Sequence, residues 1–157
     1  MKNGEENKAM STDAKKLIAA ALKARKNAYA PYSGFCVGAA LETADGEIYT
    51  GCNIESSSFT PTCCAERTAF CKAVSEGKRE FSAIAVVGGE RDAAELPFCP
   101  PCGVCRQFMR EFCGEEFRIF LGRGGEASGF AVKEYLLKEL LPCSFGGELF
   151  KEMRKDK

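Results

Sequence analysis

Two short segments, Cys64-Ala65-Glu66 and Pro101-Cys102-Gly103-Val104-Cys105, hold the residue types for a metal-assisted reaction. Cys64, Cys102 and Cys105 offer three thiolates. Three protein ligands hold a tetrahedral zinc ion and leave its fourth position open, the pattern of a catalytic rather than a structural site. Glu66 is not needed as a ligand, so its carboxylate is free to take and return protons beside that open position. Three thiolates around a divalent cation leave a net charge of about −1, which weakens the pull on bound water. Arg67 follows Glu66 directly. It is expected to hydrogen-bond the sulfurs, withdraw charge from them and restore acidity to the water.

Two distant segments need elements that bring them together. Ser11 or Thr12 can cap a helix running to about Ala28, with Leu17, Ile18, Ala21, Leu22 and Ala28 as its apolar stripe. After Pro31 and Gly34, the alternating Phe35, Val37, Ala39 and Leu41 predict a strand. Ala44-Asp45-Gly46 turns it, and Glu47 to Cys52 returns as a second strand. A serine-rich loop leads to a helix from Thr62–Cys64 to about Glu76, closed by Gly77. Phe81 to Val87 predicts a third, mostly apolar strand. Pro101 opens a helix from Cys102 to Cys113. Phe117 to Leu121 predicts a fourth strand, Gly122 to Gly125 a turn, and Gly129 to Val132 a fifth strand. Lys133 to Leu140 predicts a last helix, stopped by Pro142.

This alternation predicts an α/β fold of three layers, α/β/α, with helices on both faces of a five-stranded mixed sheet. Both cysteine segments then fall at helix N-termini, whose partial positive charge and free N–H groups favour thiolate over thiol. Cys102 and Cys105 share one turn and point the same way. Cys64 must come from a neighbouring helix, and in such folds helix starts meet over the strand ends.

Composition narrows the chemistry. The chain has 157 residues and equal numbers of acidic and basic residues, 22 each, so nothing argues for a nucleic-acid partner. A small neutral substrate fits better. There is no histidine, which excludes imidazole bases and histidine zinc ligands. No apolar run is long enough to span a bilayer. Residues 1–10 are polar and lack the apolar core of a signal peptide; they are expected to be a disordered leader before one domain over 11–157, in a cytoplasmic protein.

Ten cysteines also permit other readings. A disulfide scaffold fits poorly with a chain of this length and no export signal. A Cys-x-x-Cys redox pair explains neither Cys64 nor Glu66. A structural four-cysteine site would recruit Cys63 or Cys99, but Cys63 and Cys64 are adjacent and cannot easily face one metal. Glu66 alone would pass for an acid favoured by the helix dipole. Cys36, Cys71, Cys113 and Cys143 are expected to be small buried hydrophobes.

From residue 14 to about 150 the sequence resembles the small homo-oligomeric cytidine deaminases. The resemblance rests on Tyr32-Ser33-Gly34-Phe35, Gly51-Cys52-Asn53-Ile54-Glu55, Cys64-Ala65-Glu66-Arg67-Thr68-Ala69, Pro101-Cys102-Gly103-Val104-Cys105-Arg106-Gln107 and Leu140-Leu141-Pro142. It implies one zinc per subunit on Cys64, Cys102 and Cys105, as in zinc deaminases generally. It implies that Glu66 moves protons while water replaces the amine at C4 of cytidine or 2′-deoxycytidine. It implies that Asn53 and Glu55 bind the ribose 3′-hydroxyl, and that the backbone around Ala65 holds the cytosine edge. Phe35, and Phe145 from a neighbouring subunit, would pack on the base, with Ser57 and Phe59 also near the substrate. The active sites would thus be shared in an oligomer, most often a tetramer. Phe59 stands where the family often has tyrosine, and Pro100 where it often has serine. Alternative readings are a deaminase of another cytosine compound, such as a blasticidin-type nucleoside, and a zinc-stabilised module without turnover.

Overall fold

The computed structural model describes residues 12–125 and 127–148; the expected leader and the charged tail beyond 148 lie outside them. The elements are α1 (Thr12–Arg25), β1 (Phe35–Thr43), β2 (Ile48–Cys52), α2 (Ala65–Ser75), β3 (Phe81–Glu90), α3 (Gly103–Phe112), β4 (Arg118–Gly125), β5 (Gly129–Leu136) and α4 (Leu137–Leu140). The strands form one sheet in the order β2-β1-β3-β4-β5. Only β3 and β4 are parallel; β1 is antiparallel to both β2 and β3, and β5 to β4. The expected mixed sheet of five strands is present.

Alternation along β3 sorts the core into two layers. Ala83, Ala85 and Val87 face one side with Ala40 and Phe120, and pack on Leu17, Ile18 and Ala21 of α1. Ile84 and Val86 face the other side with Leu41, Ile119 and Leu121, and pack on α2 and α3 through Ala69, Phe70, Ala73 and Met109. Small residues on the α1 side let helix and sheet approach closely. A methyl carbon on Gly38 would stand 2.0 Å from the Ala21 carbonyl oxygen. On the other side Phe70 is fully buried, with the rings of Phe81, Phe108, Phe112 and Phe117 around it.

This topology converges the two cysteine segments. Because β1 opposes both β2 and β3, the latter two run in the same sense. The chain leaves β2 for α2 and β3 for α3. Both helices therefore begin at the same end of the sheet.

Four expectations need correction. The first helix stops at Arg25 rather than Ala28. The Arg25 guanidinium turns back to donate to the carbonyls of Cys36 and Gly89, each at 3.0 Å, pinning the helix end to β1 and β3. Gly122 to Gly125 is not a turn but the end of β4, paired residue by residue with Gly129 to Val132. Glycine is needed there for close packing: a methyl carbon on Gly122 would lie 2.9 Å from both Ile18 and Val87. With β4 longer, β5 extends through Leu136, and Lys133 to Leu136 are strand rather than helix. Only Leu137–Leu140 turns helical before Pro142. Finally, Cys36 and Cys113 are buried as expected, whereas Cys71 and Cys143 are exposed.

Candidate metal and substrate site

Cys64 and Cys102 are the N-cap residues of α2 and α3, both in extended backbone conformation. Neither side chain caps its own helix. Their sulfurs point at each other instead, 3.8 Å apart. Cys105, in the first turn of α3, is fully buried and completes the set; the three sulfurs lie within 4.8 Å of one another. Ligands on a tetrahedron with metal–sulfur bonds of about 2.3 Å stand about 3.8 Å apart, so the spacing suits zinc. Among the described residues this is the one such cluster.

The surroundings favour thiolate at Cys64. The Cys105 thiol and the Arg67 guanidinium hold Cys64 down to about 5. The same bond to Cys64, with burial, pushes Cys105 up, so Cys64 carries the charge of the pair. Arg67 Nη2 donates to the Thr62 carbonyl at 2.8 Å and lies 3.9 Å from Cys64 Sγ. Its buried Nε has no partner among the described residues, leaving a further donor beside the cluster. The spare cysteines stay out. Cys63 donates to the Cys64 carbonyl and accepts from Thr68 Oγ1. Cys99 packs on Gly88, and burial pushes its thiol up to about 11.

Glu66 occupies the first turn of α2 and is 4 % exposed. Burial pushes its carboxyl up from 4.5 to about 7, and the negative charge on Cys64 adds to the shift. A buried carboxyl poised near neutrality beside a thiolate cluster can both accept and donate a proton.

The other expected residues fall in two groups. Ala65 is fully buried at the start of α2, and half-buried Phe35 opens β1. Asn53 Oδ1 accepts from Val37 N and its Nδ2 donates to the Phe35 carbonyl, both at 2.8 Å. These bonds lock the amide to β1 and leave one N–H and one lone pair. Glu55 Oε2 accepts from Tyr32 N at 2.9 Å and Ser33 N at 3.2 Å. Its Oε1 accepts from the Ser33 hydroxyl. The Ser33 hydroxyl, then the Tyr32 N–H, hold the carboxyl below its usual range, so it is ionised. Asn53 and Glu55 thus both reach toward residues 32–37, as their spacing predicts.

Glu55 lines a groove of about 310 Å³ with Tyr32, Ser33, Ser56, Phe59 and Thr62. Phe59 is 73 % exposed at a φ of 60°, held against Tyr32 with ring centroids 6.2 Å apart. A left-handed phenylalanine is a strained conformation that its surroundings must enforce. Ser57 is exposed beside the groove and does not line it. Phe145 is 56 % exposed, and its carbonyl accepts from Gln107 at 3.1 Å. Sequence reasoning missed Ser33 and Thr62. Neither residue type signals a site; only the Tyr-Ser-Gly-Phe turn marks Ser33 in the chain.

Residues 11–121 match the family described as the cytidine and deoxycytidylate deaminase zinc-binding region. Cytidine deaminase of Sporosarcina psychrophila is 47 % identical over 137 residues, covering 87 % of this chain and 93 % of that protein. Cytidine deaminase of Halalkalibacterium halodurans is 45 % identical, over 87 % of this chain and 96 % of its own. The crystal structure of cytidine deaminase from Burkholderia pseudomallei aligns with a TM-score of 0.73 at 43 % identity, over 87 % of this chain and all of that one. With a site of three sulfurs and a buried carboxyl carried on the same fold, the chain belongs to the cytidine and deoxycytidylate deaminase family of zinc-binding enzymes.

Proposed function

We propose that this protein hydrolyses cytidine and 2′-deoxycytidine to uridine and 2′-deoxyuridine, releasing ammonia. The observation that carries the reading is the buried Glu66 carboxyl, held near neutrality beside the sulfurs of Cys64, Cys102 and Cys105. Zinc held by those sulfurs supplies a Lewis acid that makes water a usable nucleophile near neutral pH. Glu66 takes a proton from the attacking water and gives it to the ring nitrogen next to C4. It then takes the second proton and gives it to the departing amine. The water oxygen ends on C4 and the amine leaves as ammonia, so Glu66 returns to its starting state. Arg67 draws charge from Cys64 and keeps the sulfur cluster from over-neutralising the metal.

The backbone beside Ala65 holds the cytosine edge and Phe35 packs on the ring. Asn53 and Glu55 face the sugar, with Ser57 and Phe59 at its outer side. An ionised Glu55 repels phosphate and so favours nucleosides over nucleotides. The active unit is a homo-oligomer, a tetramer, in which Phe145 enters a neighbouring subunit's site. The exposure of Tyr29, Tyr32, Ile54, Phe59, Val104 and Phe145 supports an apolar surface awaiting a second copy. Ten free cysteines support a reducing, cytoplasmic setting and a role in pyrimidine salvage.

The test is incubation of the purified, zinc-loaded protein with cytidine, following the absorbance change of the ring and the ammonia released. One ammonia per uridine is expected. No turnover on cytidine, with turnover on a blasticidin-type nucleoside, would move the substrate; no turnover on either would leave a zinc module. Coexpression of Glu66→Gln with Phe145→Ala chains tests the shared site, because mixed oligomers regain activity only if Phe145 acts across subunits.

A further inference from the structure

The Ser33 hydroxyl sits at a junction between the sugar and base ends of the site. It donates to Glu55 Oε1 and accepts from Phe35 N at 3.0 Å. One exposed side chain therefore ties the carboxylate that faces the sugar to the backbone of the aromatic that faces the ring. The turn between them depends on Gly34, whose φ of 69° lies in the left-handed region open to glycine. Gly34 N donates to the Ala30 carbonyl at 3.1 Å, and its own carbonyl accepts from Arg91 N at 2.9 Å. The turn is thus fixed from both sides before the hydroxyl is placed. An exposed serine gains little from core packing. Here both its donor and its acceptor are directed at neighbouring site residues.

We propose that Ser33 is a positioning residue for nucleoside binding, setting the rotamer of Glu55 and its distance from the Phe35 end of the site. The proposal rests on the reading of Glu55 as a sugar contact. Among the described residues, Glu55 Oε2 has two backbone N–H partners, but Oε1 has only this hydroxyl. Without it, the carboxylate keeps one anchored oxygen and can swing about it. The sugar is remote from C4, so the loss falls on binding rather than on the chemical step.

Steady-state kinetics on cytidine test this with Ser33→Ala, Ser33→Thr, Glu55→Gln and the double variant Ser33→Ala/Glu55→Gln. Loss of one charge-assisted hydrogen bond at a partly solvated site is expected to raise KM about three- to tenfold, with kcat within about twofold. Ser33→Thr keeps the hydroxyl and is expected to restore KM. If Ser33 acts through Glu55, Ser33→Ala adds nothing in the Glu55→Gln background. Zinc content and thermal melts show whether each variant is folded, and Ser33→Cys, whose weakly donating thiol is likewise expected to raise KM, carries the test should Ser33→Ala fail to fold. Fully additive effects, or a KM unmoved by Ser33→Ala while Glu55→Gln raises it, would overturn the positioning role and leave the sugar contact standing. A KM unmoved by Glu55→Gln would overturn the sugar contact itself, and the proposal with it.

Discussion

Replacing Glu66 with glutamine keeps the size of the side chain and removes only its ability to ionise. The site is tight, with Glu66 4 % exposed in the first turn of α2, so glutamine fills the same space. Proton transfer by a positioned carboxyl is worth about 10²- to 10⁴-fold in rate, or about 3–5 kcal/mol of barrier. Because the proposed mechanism has Glu66 serve both the ring nitrogen and the leaving amine, the loss in kcat is expected toward the upper end. Zinc should remain at one equivalent, since no sulfur is altered. The same substitution has an opposite effect on stability. Folding raises the Glu66 carboxyl from 4.5 to about 7, so the folded state binds the proton more tightly than the unfolded state. Stability is then fullest below about 4.5 and declines as pH rises to about 7, by roughly 3 kcal/mol in all. Glutamine never ionises and escapes that decline. In chelated protein, where no cation offsets the buried charge, Glu66→Gln is expected to melt higher than wild type at pH 8 and equally at pH 4.5. Turnover is read from the loss of cytosine absorbance, and stability from thermal melts across that range. A zinc-loaded Glu66→Gln enzyme within tenfold of wild-type kcat would refute the proton-transfer role; identical chelated melts at pH 8 would refute the buried, perturbed carboxyl.

Cys102→Ala removes one of the three sulfurs and is expected to lower bound zinc below one equivalent and to lower the melting temperature, because metal binding is coupled to folding. Metal analysis finding a full equivalent would show the ligand set to be wrong. Arg67→Ala removes the donor beside Cys64 Sγ, and zinc affinity is expected to weaken about 10- to 100-fold with a shifted pH–rate profile; competition with a chromogenic chelator checks the first, and an unchanged profile would dismiss the charge-withdrawing role. Gly51→Ala places a methyl carbon 2.3 Å from the Ala65 carbonyl oxygen and 2.5 Å from Ala69 N, driving β2 against the start of α2. Backbone on the far side cannot yield cheaply, so a loss of about 3 kcal/mol and a melting temperature lower by about 6–12 °C are expected; a melt within about two degrees of wild type would mean that the helix shifts freely.

The candidate metal-binding segments were legible because their chemistry is local. Thiolates at helix starts, a neighbouring acid and the absence of histidine narrow the options without a fold, and Cys64 and Cys102 do occupy N-caps. The layer order was legible from periodicity, since alternation along β3 and the stripe of α1 face each other across the sheet. Where the reading failed, a distant partner had decided. The Gly-Arg-Gly-Gly run from Gly122 to Gly125 has the composition of a turn, yet β5 pairs with each of its residues and α1 requires Gly122 to be small. Lys133 to Leu136 have helix formers among them, yet the open edge of β4 recruits them as strand. Cys71 and Cys143 have the apolar character of core residues, but the faces they occupy are not covered by the described residues.

The sequence alone determined which atoms are available for chemistry: three sulfurs, one spare carboxyl, one guanidinium and no imidazole. Those are properties of residue type and near spacing, and no fold can add to them. Only the tertiary structure decided that β2 and β3 run in the same sense, so that α2 and α3 begin at one end of the sheet and two sulfurs from separate helices stand 3.8 Å apart. It also decided that Glu66 is buried enough to hold its proton near neutrality, and that Ser33 reaches Glu55 across 22 residues of chain. Proton affinity and contact depend on what surrounds a group in space, and that is set by strand order and packing rather than by the residues beside it in the chain.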